Sequence, residues 1–132
     1  MTYPKLVTIA IISKENKILL IKRNNEPEIG KWALPGGCGA FKKFSDPKEA
    51  VKDEVYYDLR VRFIPRGLLG NYFQEDDPPI LSIVYLGKIE GEPSINKLSA
   101  VEWVWFTEAK ISNLDLAFDH KRIIRDYFIS KK

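Results

Sequence analysis

The stretch Leu34-Pro35-Gly36-Gly37-Cys38-Gly39, followed shortly by Ser45-Asp46-Pro47, constrains this chain most: a glycine-rich loop runs into a short acidic helix. Asp46 is an N-capping residue, Pro47 suits the first helical position, and Glu49 stands three residues after Asp46, as a capping box requires. The helix is therefore expected to open at Pro47. Val51, Val55 and Leu59 recur every four residues, which at about 3.6 residues per turn makes one apolar stripe facing a core. Glu54 and Asp58 keep the same spacing on a neighbouring face, where like charges repel by a few tenths of a kcal/mol unless a cation lies between them. Two readings stand: a solvated helix face, as most helical charges are, or two hard oxygen ligands for Mg²⁺ or Mn²⁺.

Composition narrows the class. A chain of 132 residues fits one domain, residues 1–132, and is long enough to bury a core; 45% hydrophobic and 30% charged residues are ordinary for a globular protein. Twenty-one basic against eighteen acidic side chains give +3, which suits anionic small molecules and is too weak an excess to argue for nucleic acid. A single cysteine, Cys38, allows no internal disulfide framework and fits a reducing compartment, and with one histidine a structural zinc site is not expected. No apolar run approaches the roughly twenty residues of a membrane span, so a cytoplasmic protein is the expectation.

Along the chain, Leu6 to Ile12 is a β-branched strand whose hairpin partner is Ile18 to Ile21, across the polar turn Lys14-Glu15-Asn16-Lys17. Lys22-Arg23 closes that strand, either as a solvated end or as an anion contact near the glycine loop. After the acidic helix, Val61 to Ile64 and Gly67 to Phe73 read as one or two strands broken around Pro65. Gln74 to Pro79 is a loop because two prolines do not sit in a central strand, and its three acids either approach a metal or, the favoured reading, are solvated. Ile80 to Ile89 is a strand, Gly91 to Asn96 a turn, and Val101 to Phe106 a strand with Trp103 and Trp105 on one face and Val104 on the other. Thr107 caps a short helical turn through Ile111, and Ile123, Ile124, Tyr127 and Phe128 form the stripe of a helix over Lys121 to Ser130. Strands with separated helices imply an α/β fold with a mixed central sheet covered on both faces.

These features together resemble the Nudix hydrolases, across essentially the whole chain. The family's box runs glycine, five residues, glutamate, seven residues, then Arg-Glu-apolar-x-Glu-Glu-x-Gly-apolar. Trp32-Ala33-Leu34-Pro35-Gly36-Gly37, the helix, and Glu102-Trp103-Val104-Trp105-Phe106 carry the resemblance, while Glu26-Pro27 and Leu116-Ala117-Phe118-Asp119-His120 are similar to the ADP-ribose pyrophosphatase-like branch. The box is degenerate: Glu54, Val55, Asp58 and Val61 fit the pattern, but Ser45, Asp53, Tyr57 and Arg60 stand where it has glutamate, arginine, glutamate and glycine. Gly39 keeps the box spacing, yet the tryptophan-to-glycine run is the more distinctive match and sets the box glycine at Gly37, with two extra residues in Cys38 to Phe44.

The resemblance implies a Nudix-type α/β/α sandwich and metal-dependent hydrolysis of a nucleoside diphosphate linked to another group, such as ADP-ribose. The alternative is a domain that binds such a ligand without cleaving it. Glu54 and Asp58 become the catalytic candidates and, with the Gly37 carbonyl, the ligands of one Mg²⁺ or Mn²⁺; with Ser45 and Tyr57 replacing glutamates, two or three metals are not expected. Gly36 and Gly37 would approach the substrate, Arg23 would contact phosphate, and Trp32 and Phe73 would either stack on a base or pack in the core. His120 reads as a structural hydrogen-bonding residue near the last helix. Asp53 adds repulsion that Lys48 or Lys52 would relieve, and Arg60 would be strained if the helix ends in a left-handed turn, by about 1 kcal/mol. A small-molecule partner is expected, and exposed edge strands and many aromatics fit a homodimer.

Overall fold

The computed structural model describes residues 3–132. Strand β1 (Lys5–Lys14) turns back into β2 (Lys17–Arg23), and two short strands follow, β3 (Trp32–Ala33) and β4 (Gly36–Gly37). A 3₁₀ turn over Gly39–Lys42 leads to α1 (Pro47–Leu59), then to β5 (Arg62–Gln74), β6 (Ile80–Glu90) and β7 (Ala100–Thr107). The four-residue α2 (Glu108–Ile111) and α3 (His120–Ser130) complete the chain. The sheet runs β3-β2-β1-β6-β5, with β4 attached to β1 and β7 to β2. It is mixed, because β1 and β6 run parallel over eight residue pairs from Lys5↔Ile80 to Ile12↔Gly87, while the other pairings are antiparallel.

Alternation along β1 builds two cores. Ile9 and Ile11 face α3 and pack with Ile123, Ile124, Tyr127 and Phe128. Ala10 and Ile12 face α1 and pack with Val51, Val55 and Leu59. Those three α1 side chains are fully buried, each stabilising the fold by about 1.5–3 kcal/mol. The result is the expected α/β/α sandwich.

Local chemistry sets the limits of α1. The Asp46 carboxylate accepts from Lys48 N–H at 2.9 Å, with Pro47 behind it. The capping box does not close: Glu49 turns to Lys52, 3.4 Å away, because an oppositely charged side chain three residues on competes for it. At the other end Arg60 is left-handed, φ 58° and ψ 32°, and its N–H donates to Tyr56 O, the conformation glycine favours. The relief of Asp53 is also reassigned. Lys43, from the segment before α1, reaches Asp53 at 3.4 Å, while Lys52 is occupied by Glu49.

The region around Pro65 is one strand rather than two. β5 runs through it against β6, absorbing the proline with register shifts at Pro65/Gly67 and Leu68/Gly70. Trp103 and Trp105 share the face toward α1, whereas Phe106 joins the opposite core, as the period of a strand requires.

Candidate functional site

The glycine loop sits on β1. Gly37 pairs with Thr8 and Gly36 with Ile9, and the approach at Gly36 is so close that an added Cβ would lie 2.2 Å from Thr8 O. With φ at +153° as well, that position accepts no side chain. At Gly37 an added Cβ would meet Glu54 Oε1 at 2.9 Å, so the absence of a side chain there is what admits the helix carboxylate.

Both candidate carboxylates are buried, Glu54 to 8% exposure and Asp58 to 3%, so the solvated-face reading does not hold. They reach back from α1 to the loop. Glu54 Oε2 accepts from Ala40 N–H at 2.8 Å, and Asp58 Oδ2 accepts from Gly36 N–H at 3.3 Å. The helix thereby pins the loop on either side of Gly37.

Burial disfavours charge on both groups. The Glu54 carboxyl is pushed above the ordinary carboxylate range by desolvation, with Asp53 adding to the effect and the Ala40 and Gly39 amides and Lys43 opposing it. Asp58 is pushed up to about 7, again chiefly by burial and further by Glu54, against the Gly36 amide, the Ser99 hydroxyl and Arg23. Among the described residues, the ion pairs lie elsewhere and neither carboxylate has an ion-pair partner.

Two buried, mutually repelling hard carboxylates without a paired cation fit one divalent ion, whose charge would relieve both effects. Among the described residues no three His, Cys, Asp or Glu side chains are grouped to hold an ion, so the carboxylates available here are the pair Glu54 and Asp58. An orphaned hydroxyl adjoins this layer, since Thr8 Oγ1 is fully buried without a hydrogen-bond partner on the strand residue paired with Gly37.

On the opposite side of the sheet, the loop borders a cavity of about 500 Å³, within the usual range for small-molecule sites. Its floor is Val7, Ile9, Ile80 and Ser82 from β1 and β6. Arg23, Gly36 and Gly37, the sequence candidates for substrate contact, line it. Arg23 Nε donates to Pro27 O at 2.9 Å and Nη2 to Asn25 Oδ1 at 3.1 Å, while its guanidinium lies 4.8 Å from the centre of the Phe118 ring. Burial lowers its pKa, with Asp58 opposing that most strongly.

Trp32 and Phe73 are not brought to the cavity. Trp32 packs edge-on against Phe106 at 4.9 Å, because β3 pairs with β2 and turns that ring into the α3-side core. Phe73 is 51% exposed near the end of β5, where its carbonyl accepts from Arg122.

Sequence reasoning did not place Phe118 or the partner of His120. Phe118 lines the cavity with a left-handed backbone, φ 51°, uncommon for an aromatic residue and a mark of a constrained turn. His120 is buried and accepts from Leu34 N–H through Nδ1 at 3.0 Å, which fastens α3 to the start of the glycine loop. Burial first, and Arg23 second, push its pKa down to about 4, so the ring is neutral at pH 7. Its neighbourhood could have been suspected from Leu116-Ala117-Phe118-Asp119-His120, but its partner is a backbone amide 86 residues away.

The geometry has counterparts among known proteins. The chain matches the NUDIX domain over residues 2–127. It is 38% identical over 133 residues to an ADP-ribose pyrophosphatase of Methanocaldococcus jannaschii, an alignment covering 95% of this chain and 73% of the relative. A MutT NUDIX hydrolase from Burkholderia pseudomallei superposes with a TM-score of 0.77 at 27% identity, over 95% of this chain and 97% of that one. The NUDIX domain of Shewanella oneidensis NrtR, solved with ADP ribose, superposes with a TM-score of 0.86 at 20% identity, over 100% and 91% of the two chains, a likeness of fold alone. With residues 2–127 of its 132 matched, the chain belongs to the Nudix hydrolase family and is of the Nudix pyrophosphohydrolase type.

Proposed function

We propose that this protein hydrolyses the pyrophosphate linkage of a nucleoside diphosphate joined to a second group, with ADP-ribose as the first candidate. The observation that carries the reading is the junction itself: a side-chain-free loop at Gly36 and Gly37 borders a ligand-sized cavity on one side and is held by two buried carboxylates on the other. The name of the Methanocaldococcus relative supports the same substrate class.

Glu54 and Asp58 would hold one Mg²⁺ or Mn²⁺, with the Gly37 carbonyl as a further hard oxygen donor. When bound, the ion supplies positive charge that offsets the pyrophosphate and the charge developing on its oxygens. Glu54, already more basic than an ordinary carboxylate, would take the proton from the attacking water. Water adds to one phosphorus, the bond to the bridging oxygen breaks, and two phosphate-bearing products leave. Arg23 holds a phosphate oxygen at the cavity wall through the part of its guanidinium not engaged by Pro27 and Asn25.

A second reading has its own support, because one oxygen of each carboxylate is already committed to a loop amide. On that reading the domain retains its ligand and does not cleave it. Incubation with ADP-ribose, other nucleoside diphosphate sugars, dinucleotides and nucleoside triphosphates, with Mg²⁺ or Mn²⁺, separates the two. Metal-dependent product from ADP-ribose is expected; tight binding without product on the whole panel would replace hydrolysis with binding.

A further inference from the structure

His120 is the one histidine of the chain, and its two ring nitrogens have different surroundings. Nδ1 faces the protein and accepts the Leu34 N–H at 3.0 Å. A neutral imidazole with Nδ1 as acceptor carries its proton on Nε2, so the hydrogen bond to Leu34 fixes the tautomer.

Among the described residues no acceptor faces Nε2. The buried side-chain atoms that are fully enclosed without a partner are Thr8 Oγ1 and Arg122 Nε, and Nε2 is not one of them. The residue is 6% exposed, and it lines the cavity together with Arg23, Gly36 and Phe118. The result is an oriented N–H donor, nine-tenths buried, without a protein acceptor, at the edge of a ligand-sized space.

Its position is held by more than one contact. The Phe118 ring packs against the imidazole at 5.6 Å between centroids, and the left-handed backbone at Phe118 turns the chain directly into α3. The Ala117 carbonyl accepts the His120 N–H at 3.2 Å, and the Ala117 N–H is held by Trp32 O at 2.8 Å. A donor locked by Leu34, Ala117 and Phe118 loses little freedom when it meets a ligand, which is how a polar group in an apolar pocket gives specificity.

We propose that the Nε2–H of His120 donates a hydrogen bond to an oxygen of the bound ligand, making His120 a specificity-determining residue of the cavity. This rests on the reading that a nucleoside diphosphate compound occupies the space. The partner is an acceptor-only oxygen such as that of a phosphate, because the guanidinium of Arg23 lines the same cavity and draws the same kind of atom.

The test is titration calorimetry of the full chain in Mg²⁺ buffer with the α,β-methylene analogue of ADP-ribose, whose replaced bridging oxygen prevents cleavage. His120→Asn keeps an oxygen near the position of Nδ1 for the Leu34 amide but lacks a donor where Nε2 sits. It is expected to retain the melting temperature of the wild type and to weaken binding by about 10- to 100-fold, as loss of a hydrogen bond to a charged group does. The wild type supplies a second readout that needs no variant: a single histidine makes its ring ¹⁵N resonances unambiguous, and Nε2 is expected to shift on binding while Nδ1 stays in its acceptor state. Unchanged affinity in His120→Asn, or an unmoved Nε2 resonance in the saturated wild type, would overturn the inference alone. Absence of binding by the wild type would overturn the functional reading and this inference with it.

Discussion

Asp58 lets the electrostatics of the site be measured as stability. Its folded-state pKa is raised from 3.8 to about 7, chiefly because burial at 3% exposure disfavours the carboxylate. An acid whose pKa is higher in the folded state binds its proton more tightly there, so folding is favoured at low pH and progressively penalised as pH rises from about 4 to about 7. Each tenfold difference in proton affinity is worth about 1.36 kcal/mol, so the gap from 3.8 to about 7 amounts to about 4 kcal/mol at pH 8. Asp58→Asn keeps an oxygen to accept the Gly36 N–H and removes the charge. In chelator-containing buffer the variant should therefore melt higher than wild type at pH 8, by on the order of 10 °C for about 2.1 cal/mol/K of unfolding entropy per residue, and the gain should vanish near pH 4. Mg²⁺ or Mn²⁺ should stabilise the wild type at pH 8 and leave the variant nearly unchanged, since the ion relieves the same penalty. Differential scanning calorimetry across that range checks both. A stability difference independent of pH, or a variant less stable than wild type at pH 8, would refute the argument that Asp58 is a desolvated charge.

Two further substitutions probe the ends of the helix and its loop. Arg60→Gly removes the left-handed strain at the end of α1 and should raise stability by about 0.5–1 kcal/mol in urea unfolding, the lost contact with Tyr56 being an exposed one. Gly37→Ala sets a methyl against Glu54 Oε1, 2.9 Å from its ideal position, and should reduce turnover at least tenfold while the protein stays folded; parallel circular dichroism and product assays check this.

The sandwich was legible in the sequence because its signals are local and periodic. The Val51, Val55, Leu59 stripe, the Asp46-Pro47 start and the Ile123, Ile124, Tyr127, Phe128 stripe each follow from spacing alone, and each faces a core as expected. The Pro65 region left one strand or two open, because an edge pairing tolerates a proline by shifting register, a property of the partner strand. The site divides the same way. Glu54 and Asp58 could be nominated from their spacing, but their contacts with Ala40 and Gly36 are made across the fold, and side-chain identity carries no record of a backbone donor. Trp32 beside the glycine run left base stacking and core packing open, and the pairing of β3 with β2 turns it toward Phe106. His120 had no partner visible in sequence for the same reason: the group it accepts from is the amide of Leu34.

If the buried carboxylate behind Gly37 supports cleavage of a pyrophosphate bond, it will show in the rate of ADP-ribose hydrolysis by wild type and Glu54→Gln, measured with and without Mg²⁺ or Mn²⁺. Metal-dependent cleavage by the wild type is expected, with a loss of at least a hundredfold in Glu54→Gln, whose amide still accepts the Ala40 N–H and keeps the variant folded. Equal rates in the two proteins, or cleavage indifferent to the metal, would contradict it.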